Sequence, residues 1–126
     1  GIDARIHENL NGLIANVDEK LLGRVVLNLV LNAADAIADA GITDGVIAIE
    51  AAPNDKGRIS LTVRDNGPGI PPEALERIFN PFFTTKHTGT GLGLAIVHRI
   101  IEAHGGAISA ENLPPPQHGA RFRIII

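Results

Sequence analysis

Gly89-Thr90-Gly91-Leu92-Gly93-Leu94 runs without a break into Ala95-Ile96-Val97-His98-Arg99-Ile100-Ile101. Alternating glycines that open a helix let backbone come very close to a ligand, and the unpaired N–H groups of the helix's first turn favour an anion there. The arrangement suits a phosphate. Alone it is equally a flexible turn ahead of a helix, so the flanking sequence has to decide.

Immediately upstream, Phe79-Asn80-Pro81-Phe82-Phe83-Thr84-Thr85-Lys86 reads as a loop that holds three of the chain's four Phe. Before it, Pro71-Pro72-Glu73 is expected to start a short helix through Ile78. Two alternating strands precede that, 46–52 and 58–65, joined at Pro53-Asn54-Asp55-Lys56-Gly57 as a hairpin. In the second strand Ile59, Leu61 and Val63 face one way and Ser60, Thr62 and Arg64 the other, the pattern of a sheet covered by helices on one face only. The strand ends in Asp65-Asn66-Gly67-Pro68-Gly69-Ile70.

Further upstream, Asp18 is placed to cap a helix from 19 to about 40, with Gly41 as its stop. Leu22, Val25, Val26, Leu29, Val30, Ala33 and Ile37 recur at helical spacing and give it a broad apolar face. Asn28 and Asn32, four residues apart, share another face with Asp35. Extended segments at 4–7 and 13–15 flank Asn11-Gly12, a hairpin-turn dipeptide. Downstream of the glycine stretch the helix should end at His104-Gly105-Gly106, and strands at 107–111 and 120–126 flank a turn at Pro114-Pro115-Pro116. This order of elements predicts a two-layer α/β sandwich: one mixed, mostly antiparallel sheet with about three helices on a single face.

Composition narrows the function classes. With 126 residues, 44% of them apolar, the chain can bury one core, and residues 1–126 are expected to form a single domain. It begins with Gly and contains no Met, which fits a piece of a longer protein. A net charge of −3, no basic run and only four aromatic side chains disfavour a nucleic-acid surface. The absence of Cys excludes disulfides and thiolate metal sites and fits a reducing compartment. No apolar run reaches membrane-spanning length, so this piece is expected to make no direct membrane contact and to be cytoplasmic, with membrane anchoring left open for its parent.

A carboxylate at a strand tip, Asp65, followed by backbone that bends at Gly67 and Gly69, can accept a hydrogen bond from an exocyclic amine such as that of adenine. The same residue types also make an ordinary turn. Asn28 and Asn32 offer neutral carbonyl oxygens of the kind Mg²⁺ accepts while keeping waters and phosphate oxygens. Two Asn within a long apolar helix are costly to bury without a partner.

Taken in order, these pieces resemble the catalytic and ATP-binding domain of two-component sensor histidine kinases, in the gyrase, mismatch-repair and histidine-kinase ATPase superfamily. Asn28-Leu29-Val30-Leu31-Asn32-Ala33-Ala34-Asp35-Ala36 resembles the N box, residues 65–69 the G1 box, 79–83 the F box and 89–94 the G2 box. Gly119-Ala120-Arg121-Phe122 is similar to the closing Gly-Thr-x-Phe signature, with Ala120 where Thr is commoner. The resemblance extends from about residue 13 to the end.

The resemblance implies ATP and Mg²⁺ as ligands, with Asn32 on the metal and Asn28 supporting the metal and phosphate site. Both Asn would be the catalytic residues, with Asp35 on the same face. Asp65 would bond the adenine amine while Gly67, Gly69 and Ile70 line the base. Thr88, Gly89, Thr90, Gly91, Leu92, Gly93 and Leu94 would carry the phosphates, joined by Lys86, and 71–88 would form an ATP lid. Hydrolysing members of the superfamily place a Glu, as general base for water, where this chain has Asn28. An amide cannot take that proton. Little hydrolysis is therefore implied, with the γ-phosphate presented to a His on a separate dimerisation and phosphoacceptor domain, and a response regulator downstream. Alternatives are a related serine kinase, disfavoured by the 79–83 loop, and a catalytically silent nucleotide-binding or interaction module of the same fold.

His7-Glu8-Asn9-Leu10-Asn11 resembles a phosphoacceptor pattern. It is rejected as one because it sits in a strand-like segment with no room for a helical hairpin. No Gly-x-x-x-x-Gly-Lys-Ser/Thr occurs, and Leu94 stands where a dinucleotide fingerprint needs Gly or Ala. His98 and His104 are expected to be an exposed helix residue and a helix-terminus residue.

Overall fold

The computed structural model describes residues 2–8, 19–54, 56–81, 83 and 93–126. In chain order the elements are β1 (Ile2–Glu8), α1 (Glu19–Asp39), β2 (Gly45–Pro53), β3 (Ile59–Asp65), α2 (Gly93–Ala103), β4 (Ala107–Asn112) and β5 (Ala120–Ile125).

Helix α1 forms where the apolar repeat predicts it. Val25, Leu29, Ala33 and Ile37 are buried, at steps of three or four residues, and Leu22, Val26 and Val30 pack beside them. It stops at Gly41, whose φ of 71° suits glycine. There Gly41 N–H bonds Ala38 O and Ile42 N–H bonds Ile37 O, so two of the helix's last carbonyls gain partners. The same pair of bonds closes α2, at Gly105 and Gly106. The expected cap at Asp18, the segment at 13–15 and the Asn11-Gly12 turn lie outside the described residues.

The sheet has the order β1-β2-β3-β5-β4. β1 runs parallel to β2, and the other neighbours are antiparallel. A parallel pair needs a crossover, and α1 supplies it between β1 and β2. His7 lies within β1, opposite Glu50 in the register. The β2–β3 hairpin turns at Asn54, whose Oδ1 accepts from Lys56 N at 3.0 Å and Arg58 N at 2.9 Å.

Register puts Ile47 and Ile49 of β2, Leu61 and Val63 of β3, and Phe122 and Ile124 of β5 side by side on one face. These side chains, buried against Val25, Leu29 and Ile37 of α1 and Val97 and Ile101 of α2, form the core. Each fully buried aliphatic among them is worth about 2 kcal/mol of transfer free energy. Glu50, Arg64 and Arg123 occupy the opposite, exposed face. There Arg64 pairs with Glu50 at 3.8 Å, and Arg121 pairs with Glu111, contacts of small energetic weight at such exposure.

The sandwich is as expected except in its helices: among the described residues there are two rather than three. The helix expected at 71–78 is instead a succession of turns. Ala74 N–H reaches Pro71 O at 2.8 Å, Arg77 N–H reaches Ala74 O at 2.8 Å and Asn80 N–H reaches Arg77 O at 2.9 Å, all three residues back. The prolines hold Ile70 and Pro71 away from helical backbone angles, so only a short segment is left for helical bonds. Ala74 and Ile78 are nonetheless buried and fasten the segment to the core.

Candidate functional site

Asp65, the last residue of β3, is the one buried charged side chain among the described residues, at 7% exposure. Its Oδ1 accepts Gly67 N–H at 2.8 Å and Ala120 N–H at 3.2 Å. Among the described residues no buried side-chain nitrogen or oxygen is left without a hydrogen-bond partner. Burial pushes the Asp65 carboxyl above the usual carboxylate range, against the opposing pull of the Gly67 and Ala120 N–H groups and the His118 ring.

The bend that follows is held from three directions. Asn66 ties it to β2: its Oδ1 accepts Val46 N–H at 2.8 Å, and its Nδ2 donates to Asp44 O at 2.8 Å. His118 Nδ1 lies 3.0 Å from Gly67 O, and Asn112 bonds both N–H and C=O of Ile70. Gly69 has a φ of 81°, and a Cβ there would stand 2.9 Å from Asn112 Oδ1. Gly119 is still more constrained, because a Cβ on it would fall 1.9 Å from Asp65 O. Gly119 therefore serves close approach of backbone to backbone at the end of β3, and Gly69 leaves room for the Asn112 side chain.

Helix α1 brings the two Asn into the same layer. A Cβ on Gly67 would lie 3.5 Å from Ile37 Cγ1, so the C-terminal part of α1 packs beside the bend. At 1.5 Å of rise per residue, Asn32 stands about 7 Å and Asn28 about 13 Å further along the helix axis from Ile37. Both are half-buried and Asp35 is exposed. Amide oxygens set at intervals along a helix away from the Asp65 bend are of the donor type that a hydrated Mg²⁺ accepts. Among the described residues no three His, Cys, Asp or Glu cluster as an alternative cage.

Of the glycine stretch, Gly93 opens α2 and Leu94 packs against the core. A Cβ on Gly93 would meet nothing within 4 Å, so packing does not demand glycine there. Lys86, Thr88, Gly89, Thr90, Gly91 and Leu92 lie outside the described residues. The structure brings Asp65, Gly67, Gly69 and Ile70 into one bend and sets Asn28 and Asn32 along the adjacent helix.

One expectation needs correcting. His98 is half-buried: its ring stacks on Phe79 with centroids 5.4 Å apart and its Nε2 lies 3.3 Å from Glu102 Oε1. Phe79 also meets Phe122 edge-on at 6.3 Å. The start of the Phe-rich loop is thus packed on both α2 and β5, so its neighbours on α2 lose their exposure. His104 sits at the helix end as expected, with Nδ1 2.7 Å from Ile100 O.

Asn112 and His118 were not singled out by the sequence, and Asn66 and Gly119 were quoted only within motifs, with no role of their own. Alternation could have found Asn112, which follows Ile108 and Ala110 on the inward face of β4, where a lone amide needs partners. The His118 contact spans 51 residues and leaves no local signal.

A mostly antiparallel sheet with helices on one face, whose central strand ends in a buried carboxylate and a glycine-bent loop, is the architecture of an ATPase-type α/β sandwich. Residues 17–126 match the family described as histidine kinase-, DNA gyrase B- and HSP90-like ATPase, and the chain belongs to that family. It is similar to the sensor histidine kinase ZraS of Salmonella typhimurium, with 48% identity over 107 residues, covering 85% of this chain and 22% of the relative. The chain thus spans about a fifth of that relative's length. Among solved structures it resembles the mycobacterial sensor histidine kinase MprB, with a TM-score of 0.86, 30% identity, and 99% of this chain and 82% of that one covered. It also resembles full-length ShkA in complex with AMPPNP, with a TM-score of 0.77, 33% identity, and 99% and 25% covered.

Proposed function

We propose that this chain is the single ATP-binding catalytic domain of a sensor histidine kinase. It would hold Mg-ATP and present the γ-phosphate to a histidine on a separate dimerisation and phosphoacceptor domain. The carrying observation is the Asp65 carboxylate, buried at the end of β3 and fixed through one oxygen by two backbone N–H groups; in this reading its other oxygen accepts from an amine donor. The AMPPNP bound by ShkA supports an adenine nucleotide as the ligand.

In this reading Asp65 accepts from the adenine amino group, and the backbone at Gly67, Gly69 and Ile70 lies along the base. Asn32 supplies an oxygen to Mg²⁺ and Asn28 supports the same site, with Asp35 beside them. Lys86, Thr88 and residues 89–94 serve the phosphates. Mg²⁺ would supply charge neutralisation on the phosphate oxygens. Asn28, an amide, cannot take a proton from water, which favours transfer over hydrolysis. The bond between the γ-phosphorus and the bridging oxygen breaks, a nitrogen–phosphorus bond forms on the acceptor imidazole, and ADP leaves. The parent would then pass the phosphoryl group to a response regulator. No described helix is long and apolar enough to cross a membrane; a cytoplasmic site of action fits a module that uses ATP.

The test is transfer from γ-labelled ATP to the parent's His-bearing domain, mixed with this chain. Acid-labile, base-stable label on that domain is expected. Label on His7 instead would overturn the division of labour, and intact ATP binding without transfer would favour a silent module.

A further inference from the structure

We propose that Asn112, at the end of β4, is a positioning residue for the nucleotide base. The inference rests on the assignment of the Asp65 bend as the adenine site and adds the residue that fixes the far end of that bend.

Between Asp65 and Pro71 the chain has little intrinsic reason to keep one shape. Gly67 and Gly69 are permissive, and Pro68 has no N–H to anchor. The near end is set by Asp65 and Asn66, whose bonds reach β2 and the start of β5. At the far end, Ile70 N–H donates to Asn112 Oδ1 at 2.7 Å and Asn112 Nδ2 donates to Ile70 O at 2.7 Å. These are the only hydrogen bonds of the Ile70 backbone among the described residues. One primary amide thus does for Ile70 what a neighbouring strand does for a paired residue, across 42 residues of sequence.

The chemistry selects Asn. An amide offers a donor and an acceptor on the same plane, matching an N–H and a C=O presented together. A carboxylate in its place would set an anion against Ile70 O, and a methyl would leave both Ile70 groups unpaired. Asn112 also occupies the space beside Gly69, where a Cβ would approach Oδ1 to 2.9 Å. Its side chain therefore determines where the backbone of residues 69 and 70 lies relative to the Asp65 carboxylate. A base bonded to Asp65 would rest on that backbone.

The experiment compares ADP binding by calorimetry, and amide hydrogen exchange, in the wild-type chain, Asn112→Ala and Asn112→Ser. Loss of two neutral hydrogen bonds that hold the site in register should weaken ADP about tenfold in Asn112→Ala. Asn112→Ser, whose hydroxyl stands one atom short of the Ile70 groups, should lose about as much. Exchange at Ile70 should quicken while α1 and β3 keep wild-type protection. Wild-type-like ADP affinity in Asn112→Ala overturns the proposal, and so does a general loss of protection in α1 and β3, which would mark a merely structural bond. If Asn112→Ala does not fold, Asn112→Ser is judged by the same criteria. A wild-type chain that binds no ADP would remove the nucleotide assignment itself, and this proposal with it.

Discussion

Asp65→Asn separates two effects that a single carboxyl combines. The amide oxygen of the variant can keep both bonds that Oδ1 accepts, from Gly67 N at 2.8 Å and Ala120 N at 3.2 Å. The second position changes from an acceptor to a donor and would face the donor amine of adenine. A hydrogen bond to a charged group is worth about 1.5–3 kcal/mol. At about 1.4 kcal/mol per factor of ten, the dissociation constant for ADP should rise about 10- to 150-fold. Stability should move the other way. Burial raises the folded-state pKa of Asp65, so the folded chain holds this proton more tightly than the unfolded chain does. That contribution to stability is fully present below the unfolded value, about 3.9, and is lost as pH rises through the raised folded value. Asn carries no such proton. In urea unfolding, the variant should therefore gain on the wild type as pH rises above about 4 and level off once pH has passed the raised folded value. Calorimetry of the wild type should show ADP binding strengthening across the same rise in pH, with proton release, because an amine donor favours the ionised carboxyl. Unchanged ADP affinity in the variant would refute the acceptor role. Equal losses of affinity and stability at neutral pH would refute the electrostatic argument and make Asp65 a structural residue.

Asn32→Ala should weaken the Mg²⁺-dependent part of nucleotide binding, shifting the midpoint of an Mg²⁺ titration by about tenfold or more; superimposable titrations would remove Asn32 from the metal site. Gly119→Ala would drive a Cβ to 1.9 Å from Asp65 O at a φ of 122°. It should lose about 3 kcal/mol or more in urea unfolding and lose ADP binding with it, whereas a wild-type unfolding midpoint would contradict that packing.

The elements that could be read from sequence are those whose cause is local. The apolar repeat from Leu22 to Ile37 and the stop at Gly41 define α1, and the alternation from Ile59 to Val63 defines the buried face of β3. Asp65 was legible because Asn66, Gly67, Pro68 and Gly69 follow it at a strand end. At 71–78 the spacing of Ala74 and Ile78 is compatible with a helix, but the segment left after the pre-proline residues is short and its bonds reach only three residues back. Asn112 and His118 escaped because their partners lie 42 and 51 residues away, and side-chain bonds of that range follow from the strand order. The placement of β5 between β3 and β4 is likewise a property of the assembled sheet.

That placement governs when the site can come into being. The carboxyl of Asp65 loses its water only when Ala120, 55 residues later, brings its N–H to Oδ1 and Gly119 closes over the strand end. An intermediate built from β1, α1, β2 and β3 would carry Asp65 hydrated, with an ordinary acidity. So long a closure is entropically slow, and the strand that makes it is also the one that joins β4 to the sheet. Competence to bind a nucleotide should therefore appear in a single late step of folding, making ligand capture a reporter of complete assembly.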